Sequence, residues 1–587
     1  VALGRLAPGR WAALVGGVAT AMTAVCAYAL LAKVFPDTLA QGNQYGRLQA
    51  PFGYWNAVGV SGALGVAPAL WAASRRSGSV LLRGLTVPAM TLMLSVVVLS
   101  YSRSAVLVAV VAIAAWIAFV PLRLRSALML ALAGLGALPI VIVALHSHNL
   151  TGDNIAISSQ DVAGHAFGPV ALAAVIVVAV AGVAASLAMD RVAVAEATRR
   201  RIGTVLVVGV ALVPAAAVVA LAASSRGLFG QISHAWQSLT SSHSVVFDNA
   251  GRITKLGSAR PVYWHEGLTV GSHALLKGVG ELGYGVARLR YTTSTSKADQ
   301  AHSYLVQTFA DLGIVGVLLT LALLAAWCRA AARPLALGAR WRSLTTGEVG
   351  ERGGLLALAI VVLAFGVQSA LDYTFYFPGV TVPALLCAGW LAGRGPLSAP
   401  VGRRAGERVS VLQRPAAGAL VTGLVALALM GAWVMWQPLR SAQAMADAEN
   451  APATAFASAQ AAASRDPLSI QPLFLLSVLY RDNHNPRAAQ RELLKASQLQ
   501  PENPQPWLWL AQFDVAAGQS QAALTAAAQV FALNQPVDST RLAANDVIVQ
   551  AQAQIARRAA RLKSQARRRT RAAGRAKHRA TQPRTQP

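Results

Sequence analysis

Apolar runs of about 20 residues recur along the first 440 positions and alternate with polar loops. A helix of that length is what crossing the hydrocarbon core of a bilayer requires. The pattern therefore predicts an all-α, polytopic helical membrane protein with about 11 spans. The predicted spans are 11–35, 55–73, 80–100, 104–121, 126–145, 169–188, 203–223, 303–327, 354–371, 378–393 and 416–437.

The longest polar interval separates the spans at 203–223 and 303–327. About 75 residues are too many for a simple connector, and functional side chains concentrate in loops of this kind. We expect loop 224–302 to carry much of the chemistry. Its arginines and histidines are Arg226, Arg252, Arg260, Arg288, Arg290, His234, His243, His265, His273 and His302.

Arginines elsewhere fall in alternate loops, beginning with Arg75, Arg76 and Arg83 and continuing at 123–125, 191–201, 329–352 and 394–414. Loops rich in arginine stay on the cytoplasmic side of a membrane. This predicts a multi-pass protein of the cell (cytoplasmic) membrane. Loop 224–302 and everything after Gln437 are then extracytoplasmic.

The composition changes after Pro438, so we predict a membrane domain over 1–437 and a second domain over 438–556. Asp466-Pro467 recurs as Gln500-Pro501, 34 residues later, and Leu476, Leu510, Ala489 and Ala523 fall at matching inner positions. This spacing resembles tetratricopeptide repeats, in which helix pairs stack. The basic segment 557–587 has little to bury, so we expect a basic helix that fades into a disordered tail.

Composition narrows the function classes. The chain is 55% hydrophobic and 13% charged, with a net charge of +28. Most arginines in a polytopic protein set the orientation of its spans in the membrane, so the positive charge does not indicate a nucleic-acid partner, and we predict none. Cys26, Cys328 and Cys387 have neither disulfide nor metal spacing. The glycines of 278–283 match a dinucleotide fingerprint but lie in a loop without the strand–turn–helix context it needs. We predict no cofactor and no metal.

Three arginines lie at the predicted outer interface: Arg47, Arg103 and Arg260. Charge at that depth is costly and indicates function by default, although each arginine taken alone could be an interfacial anchor. Converging guanidinium groups would suit a phosphate or diphosphate, which they bind bidentately. His302, where the loop meets the next span, could accept a hydroxyl proton. For His265 and His273 a structural role is favoured.

Four segments resemble the O-antigen ligase and polysaccharide polymerase family, whose relatives include bacterial pilin oligosaccharyltransferases. They are RLQAPFGYWNAVGV, LSYSRSA, ARPVYWHEGLTVGSHALLKGVGELGYG and AHSYLVQTFADLGIVG. Their order and predicted topology make the likeness fairly specific over residues 40–395. Ser303 stands where the family has Asn, Asp311 where it has Glu, and Leu276-Lys277 where it has Pro-Leu.

The resemblance implies a metal-independent membrane glycosyltransferase. It would move a glycan from an undecaprenyl-diphosphate carrier to an acceptor hydroxyl on the outer face of the membrane. By position, Arg103 and Arg260 would hold the diphosphate, and His302 would activate the acceptor. The expected substrate-binding residues are Arg47, Asn56, Arg252, Tyr304 and Asp311.

The acceptor is left open as glycan, lipid or protein, and the repeats favour a protein partner. A chain-extending polymerase of the same family fits equally well, since it differs only in the acceptor. Two further alternatives are a polysaccharide transporter and a non-enzymatic scaffold for envelope assembly. Transporters usually have broken helices in symmetric halves, whereas the polar residues here cluster in one loop.

Overall fold

The computed structural model describes residues 1–40, 45–192, 195–225, 259–337, 341–397 and 415–580, with isolated positions between 227 and 237. These residues form α-helices, short 3-10 helices and connecting turns, and no β-strand occurs among them. The chain divides into two compact units. The first comprises Val1–Gly278 and Gln300–Arg408, and the second comprises Val279–Asp299 and Val409–Pro587.

The longer helices of the first unit follow the predicted spans closely. They are Trp11–Val34, Trp55–Ser74, Val80–Leu99, Arg103–Phe119, Arg123–His146, Ile157–Arg191, Glu196–Ala223, Arg260–His273, Tyr304–Leu335, Thr346–Leu371 and Pro378–Arg394. Short helices lie at Ala2–Leu6, Pro36–Leu39 and His148–Thr151. Each predicted span in this unit falls on a helix, and among the longer helices of the described ranges Arg260–His273 lies in a predicted loop.

Within the described ranges, seven helices are long and apolar enough to cross a membrane. They begin at Pro8, Trp55, Val80, Arg123, Ile157, Tyr304 and Gly347. The helices Arg103–Phe119 and Pro378–Arg394 have 17 residues each and fall just short of that length. The all-α, multi-pass membrane fold predicted from the hydrophobic pattern is confirmed.

The helix Trp55–Ser74 is the centre of the first unit and is buried along nearly its whole length. Small residues let its neighbours approach closely. A Cβ at Gly62 would lie 2.7 Å from the Met93 carbonyl oxygen, and one at Gly59 would lie 2.3 Å from Ser100 Oγ. Close backbone approach at small residues is how membrane helices gain packing energy without a hydrophobic driving force.

The helix Tyr304–Leu335 bends sharply at Gly313, whose φ of 64° and ψ of −162° are not helical. The amide of Ile314, freed by the bend, donates to the Leu275 carbonyl at 2.8 Å. A Cβ on Gly313 would lie 2.5 Å from the Leu276 carbonyl, so only glycine fits this position without strain. The bend ties the start of this helix to the segment after the Arg260–His273 helix.

Ion pairs fasten the helix ends that carry the arginine-rich loops. Both terminal nitrogens of Arg83 reach Asp190, and Arg125 donates to the same carboxylate at 3.2 Å. Arg394 Nε pairs with Glu351 at 2.5 Å. The loops that the arginine distribution assigns to one side thus meet at one end of the helix bundle.

The second unit is a series of helices: Pro415–Asn450, Ala455–Arg465, Gln471–Asp482, Pro486–Leu499, Pro504–Ala516, Ser520–Leu533 and Ser539–Ala580. Leu476, Leu510, Ala489 and Ala523 are buried, as the 34-residue spacing predicts. Phe474 and Trp509 stack with ring centroids 4.5 Å apart, which joins successive helix pairs. Their identification as tetratricopeptide repeats stays a prediction.

Three features of the second unit differ from the predicted domain limits. The boundary at 437 falls within the continuous helix Pro415–Asn450, because Pro438 is tolerated inside it. The predicted limit at 556 falls within the helix Ser539–Ala580, and the basic segment continues this helix through Ala580, consistent with the high helix propensity of Ala, Arg, Lys and Gln. The loop segment Val279–Asp299 belongs to this unit.

Candidate active site

Asp372 is the centre of a buried polar cluster at one end of the first unit's helices. Its carboxylate is fully buried and accepts from the Tyr54 hydroxyl at 3.0 Å and from Asn56 Nδ2 at 2.8 Å. Arg260 forms a salt bridge with the same Oδ2 atom. A buried carboxylate needs such donors and a countercharge, and here two segments distant in sequence supply them.

The Tyr54 phenol acts as a hydrogen-bond donor in this cluster. Burial raises its pKa well above the ordinary value, and the negative charge of Asp372 raises it further. Asn56 Nδ2 also donates to the Tyr54 oxygen at 2.6 Å. The phenol therefore stays protonated and fixes the carboxylate that holds Arg260.

His302 lies beside this cluster in a left-handed backbone conformation, with φ of 54°. Its ring packs against Tyr263 at 5.1 Å and edge-on against Tyr373 at 4.5 Å between centroids. Trp264 Nε1 donates to its carbonyl at 3.4 Å. A side chain held in a sparsely populated conformation by several contacts is typical of a functional position.

The hydrogen bond of the His302 ring determines its tautomer. Nδ1 lies 3.0 Å from the Gln300 carbonyl oxygen, which can only accept. Nδ1 must therefore carry the hydrogen, and in the neutral imidazole Nε2 then carries the lone pair. A histidine arranged in this way can accept a proton at Nε2.

Asp311 supports the backbone that precedes His302 through Gln307. It is buried and accepts from Gln307 Nε2 at 2.8 Å, while Gln307 Oε1 accepts the amide of Ala301 at 2.7 Å. This chain of bonds fixes the backbone immediately before His302. Asp311, expected to bind substrate, is located where it positions the candidate base.

Arg103 completes the cluster from the Arg103–Phe119 helix. Ser102 caps this helix by accepting the Ala105 amide at 3.2 Å, so Arg103 lies at its first turn. The charge of Arg260 acts on Arg103 by Coulombic repulsion. Arg260 is paired with Asp372, and the helix N-terminus beside Arg103 adds partial positive charge, which favours an anion.

The structure thus brings Arg103, Arg260, His302 and Asn56 together, but leaves other predicted residues apart. Arg47 is buried, with its guanidinium 4.3 Å from the centroid of the Trp55 ring. The Tyr304 hydroxyl lies 3.5 Å from Thr320, along its own helix. His273 bonds to the Thr269 carbonyl at 2.9 Å, and His265 is exposed. Arg252, Arg226, His234 and His243 lie outside the described residues.

Sequence reasoning missed Asp372, Tyr54, Tyr373 and Tyr263. A signal for Asp372 was present, since it is a lone acid in the short aromatic turn DYTFYF between two predicted spans. A charged side chain at a membrane interface indicates function whether it is acidic or basic, so the argument used for the arginines applies to Asp372 as well. The aromatic residues could not be found without the contacts between separate segments.

Within the described ranges, no three His, Cys, Asp or Glu side chains cluster as a metal site would require. Asp299 belongs to the second unit and Asp311 is bonded to Gln307. Asp248 lies outside the described residues. Metal independence remains a prediction.

Comparison with known families gives one match. The family model described as "O-Antigen ligase" matches residues 167–321. This stretch contains Arg260, His302 and Asp311, and it supports an O-antigen ligase-type or polymerase-type function. Members of that family are membrane ligases or glycosyltransferases. No curated protein matches the chain.

Proposed function

We propose that this protein transfers a glycan from an undecaprenyl-diphosphate carrier to an acceptor hydroxyl at the outer face of the cell membrane. The observation that supports the proposal is the Arg260–Asp372 ion pair, with His302 against the neighbouring Tyr373 and Arg103 near enough to Arg260 for their charges to interact. The family match over residues 167–321 supports the same class of reaction.

The two arginines would bind the diphosphate of the donor. Asp372 pairs with Arg260 and holds its guanidinium in place, and the Arg103 guanidinium lies at a helix N-terminus whose partial positive charge also favours an anion. Planar guanidinium groups bind phosphate oxygens bidentately. As the glycosidic bond to the carrier breaks, negative charge grows on the leaving diphosphate, and the same contacts stabilise it.

His302 would activate the acceptor. Its Nε2 lone pair takes the proton of the acceptor hydroxyl as that oxygen forms a bond to the anomeric carbon. The bond from this carbon to the diphosphate oxygen breaks at the same time, and its electron pair leaves with the diphosphate. The configuration at the anomeric carbon is inverted, and the proton stays on His302 until solvent removes it.

Transfer of a labelled glycan from its undecaprenyl carrier in proteoliposomes tests the proposal. We expect His302→Ala to reduce turnover by about a hundredfold or more while donor binding stays close to wild type. His265→Ala, an exposed histidine of the same loop, is the matched control and should keep full activity. Wild-type turnover in His302→Ala would refute the assignment of the base.

Two further outcomes separate the rival functions. A scaffold or a transporter would show no transfer in this assay with any variant. If the only acceptor used is the growing glycan itself, the protein is a polymerase rather than a ligase. We also expect full activity in the presence of a chelator, and loss of activity reversed by a divalent cation would contradict metal independence.

A further inference from the structure

A second basic cluster lies at the opposite ends of the helices from Asp372. A pocket there is bordered by the helices Arg123–His146, Ile157–Arg191 and Glu196–Ala223. The helix Arg103–Phe119 leads from Arg103 to this pocket and, at 17 residues, is about 25 Å long. The pocket is therefore separated from the candidate active site by most of a bilayer core.

Five arginines line the pocket: Arg76, Arg123, Arg125, Arg199 and Arg200. The nearby carboxylates are already engaged. Glu196 pairs with Arg200, and Asp190 is held by Arg83 and Arg125. Arg123 donates to the carbonyls of Ile117 and Ala118, at the end of the preceding helix. Positive charge therefore exceeds negative charge in the pocket.

Arg76 and Arg199 carry the excess charge. Among the described residues, neither forms a salt bridge with a carboxylate. Burial lowers the pKa of Arg76, and the charges of Arg199 and Arg125 lower it further, so the three guanidinium groups repel one another. An anion bound among them would relieve this repulsion.

The rest of the pocket wall is apolar. Leu128, Met189 and Val192 line it at the helix ends, and the side chain of Leu128 is 41% exposed. A free phosphate ion gains nothing from such a wall, whereas a phospholipid has acyl chains that pack against it. Basic pockets between transmembrane helices are known to bind lipid headgroups.

We propose that this pocket binds an anionic phospholipid, with its headgroup phosphate between Arg76 and Arg199 and its acyl chains along Leu128 and Met189. With the orientation indicated by the arginine-rich loops, the lipid comes from the cytoplasmic leaflet. It would fix the adjoining ends of the three helices that border the pocket. The proposal does not depend on the glycan transfer.

Delipidated full-length protein titrated with phosphatidylglycerol, with bound lipids counted by native mass spectrometry, tests this inference. We expect phosphatidylglycerol to bind more tightly than phosphatidylcholine with the same chains. Arg76→Ala/Arg199→Ala should weaken phosphatidylglycerol binding by roughly fivefold per arginine removed. Arg76→Lys/Arg199→Lys should keep most of the affinity, because it keeps the charge.

Arg329→Ala/Arg333→Ala is the matched control. Both arginines are exposed and belong to another arginine-rich segment, and the double substitution removes the same amount of positive charge. It should leave phosphatidylglycerol affinity within about twofold of wild type. Equal losses in both double variants, or no loss in Arg76→Ala/Arg199→Ala, would overturn the site. Displacement of the lipid by an equal concentration of glycerol phosphate would overturn the assignment to a lipid.

Discussion

Asn56 Nδ2 donates to Asp372 Oδ2 over 2.8 Å, although the two residues are 316 positions apart. The same oxygen forms a salt bridge with Arg260. The start of the helix Trp55–Ser74 and the residue after the helix Thr346–Leu371 therefore fix the guanidinium of a residue from the long loop. The loop arginine thus acquires a defined position from the membrane scaffold. This relationship predicts that Asp372 matters although it touches no donor phosphate.

Asp372→Asn should lower donor affinity by about tenfold or more. The substitution removes the buried negative charge that pairs with Arg260 and orients its guanidinium. Donor affinity is measured with an undecaprenyl-diphosphate glycan in detergent or nanodiscs. Asp37→Asn, which changes an exposed acid, is the control. Unchanged donor affinity in Asp372→Asn would show that Arg260 is positioned in another way.

Replacing Arg103 and Arg260 by Lys or by Ala should separate the contribution of the positive charge from that of the planar guanidinium geometry. Lysine keeps the charge but loses the planar fork, so we expect partial activity. Alanine should cost on the order of several kcal/mol if the contact is desolvated, reducing both donor affinity and turnover. The measurement is turnover and donor binding for each variant. If both alanine variants match wild type, these arginines are interfacial anchors.

The span pattern was readable from the sequence because each apolar run exceeds the length of an ordinary core helix. The bend at Gly313 was not, since a single glycine inside a helical pattern is tolerated without breaking the helix. Within the site, Arg103, Arg260 and His302 could be predicted as charged or titratable groups near an interface. Asp311 was found as a motif residue, but its support of Ala301 through Gln307 depends on side-chain contacts.

Gly313→Ala should destabilise the protein by about 1–3 kcal/mol, because alanine is strained at positive φ and its Cβ would clash with Leu276. Thermal unfolding of the purified protein in detergent measures the effect. Gly366→Ala is the control, since no atom lies within 4 Å of its added Cβ and its helix is regular. That variant should be neutral or slightly stabilised. Equal unfolding temperatures for the two variants would mean that the bend is not a strained feature.

The predicted orientation can be tested by cysteine labelling of intact cells with an impermeant reagent. Cys328 is exposed and is first replaced by serine. Gln521→Cys, on an exposed position of the repeats, should then label without lysis, whereas Arg333→Cys should label only after lysis. The reverse pattern would place the repeats and the long loop in the cytoplasm.

The last prediction concerns the loop segment Val279–Asp299, which belongs to the same compact unit as the repeats. The Gln535 amide donates to the Leu289 carbonyl at 2.8 Å, and Arg290 pairs with Glu502 at 3.0 Å. Arg288 is buried and donates to the Ser296 carbonyl at 3.0 Å, which closes the segment into a compact turn. Because the chain continues from this segment directly to His302, its conformation should affect the candidate base.

The neighbouring residues Arg288 and Arg290 provide the test and its control. The Arg290–Glu502 pair is partly exposed, and such pairs contribute little, so Arg290→Ala should change turnover by no more than about threefold. Arg288→Ala removes a buried, hydrogen-bonded charge, so the turn should loosen and turnover should fall by roughly tenfold or more. Donor affinity should be unchanged in both variants, since Arg103 and Arg260 lie outside this segment. A fall in donor affinity that matches the fall in turnover would indicate general unfolding, and wild-type turnover in Arg288→Ala would show that His302 is positioned independently of the segment Val279–Asp299.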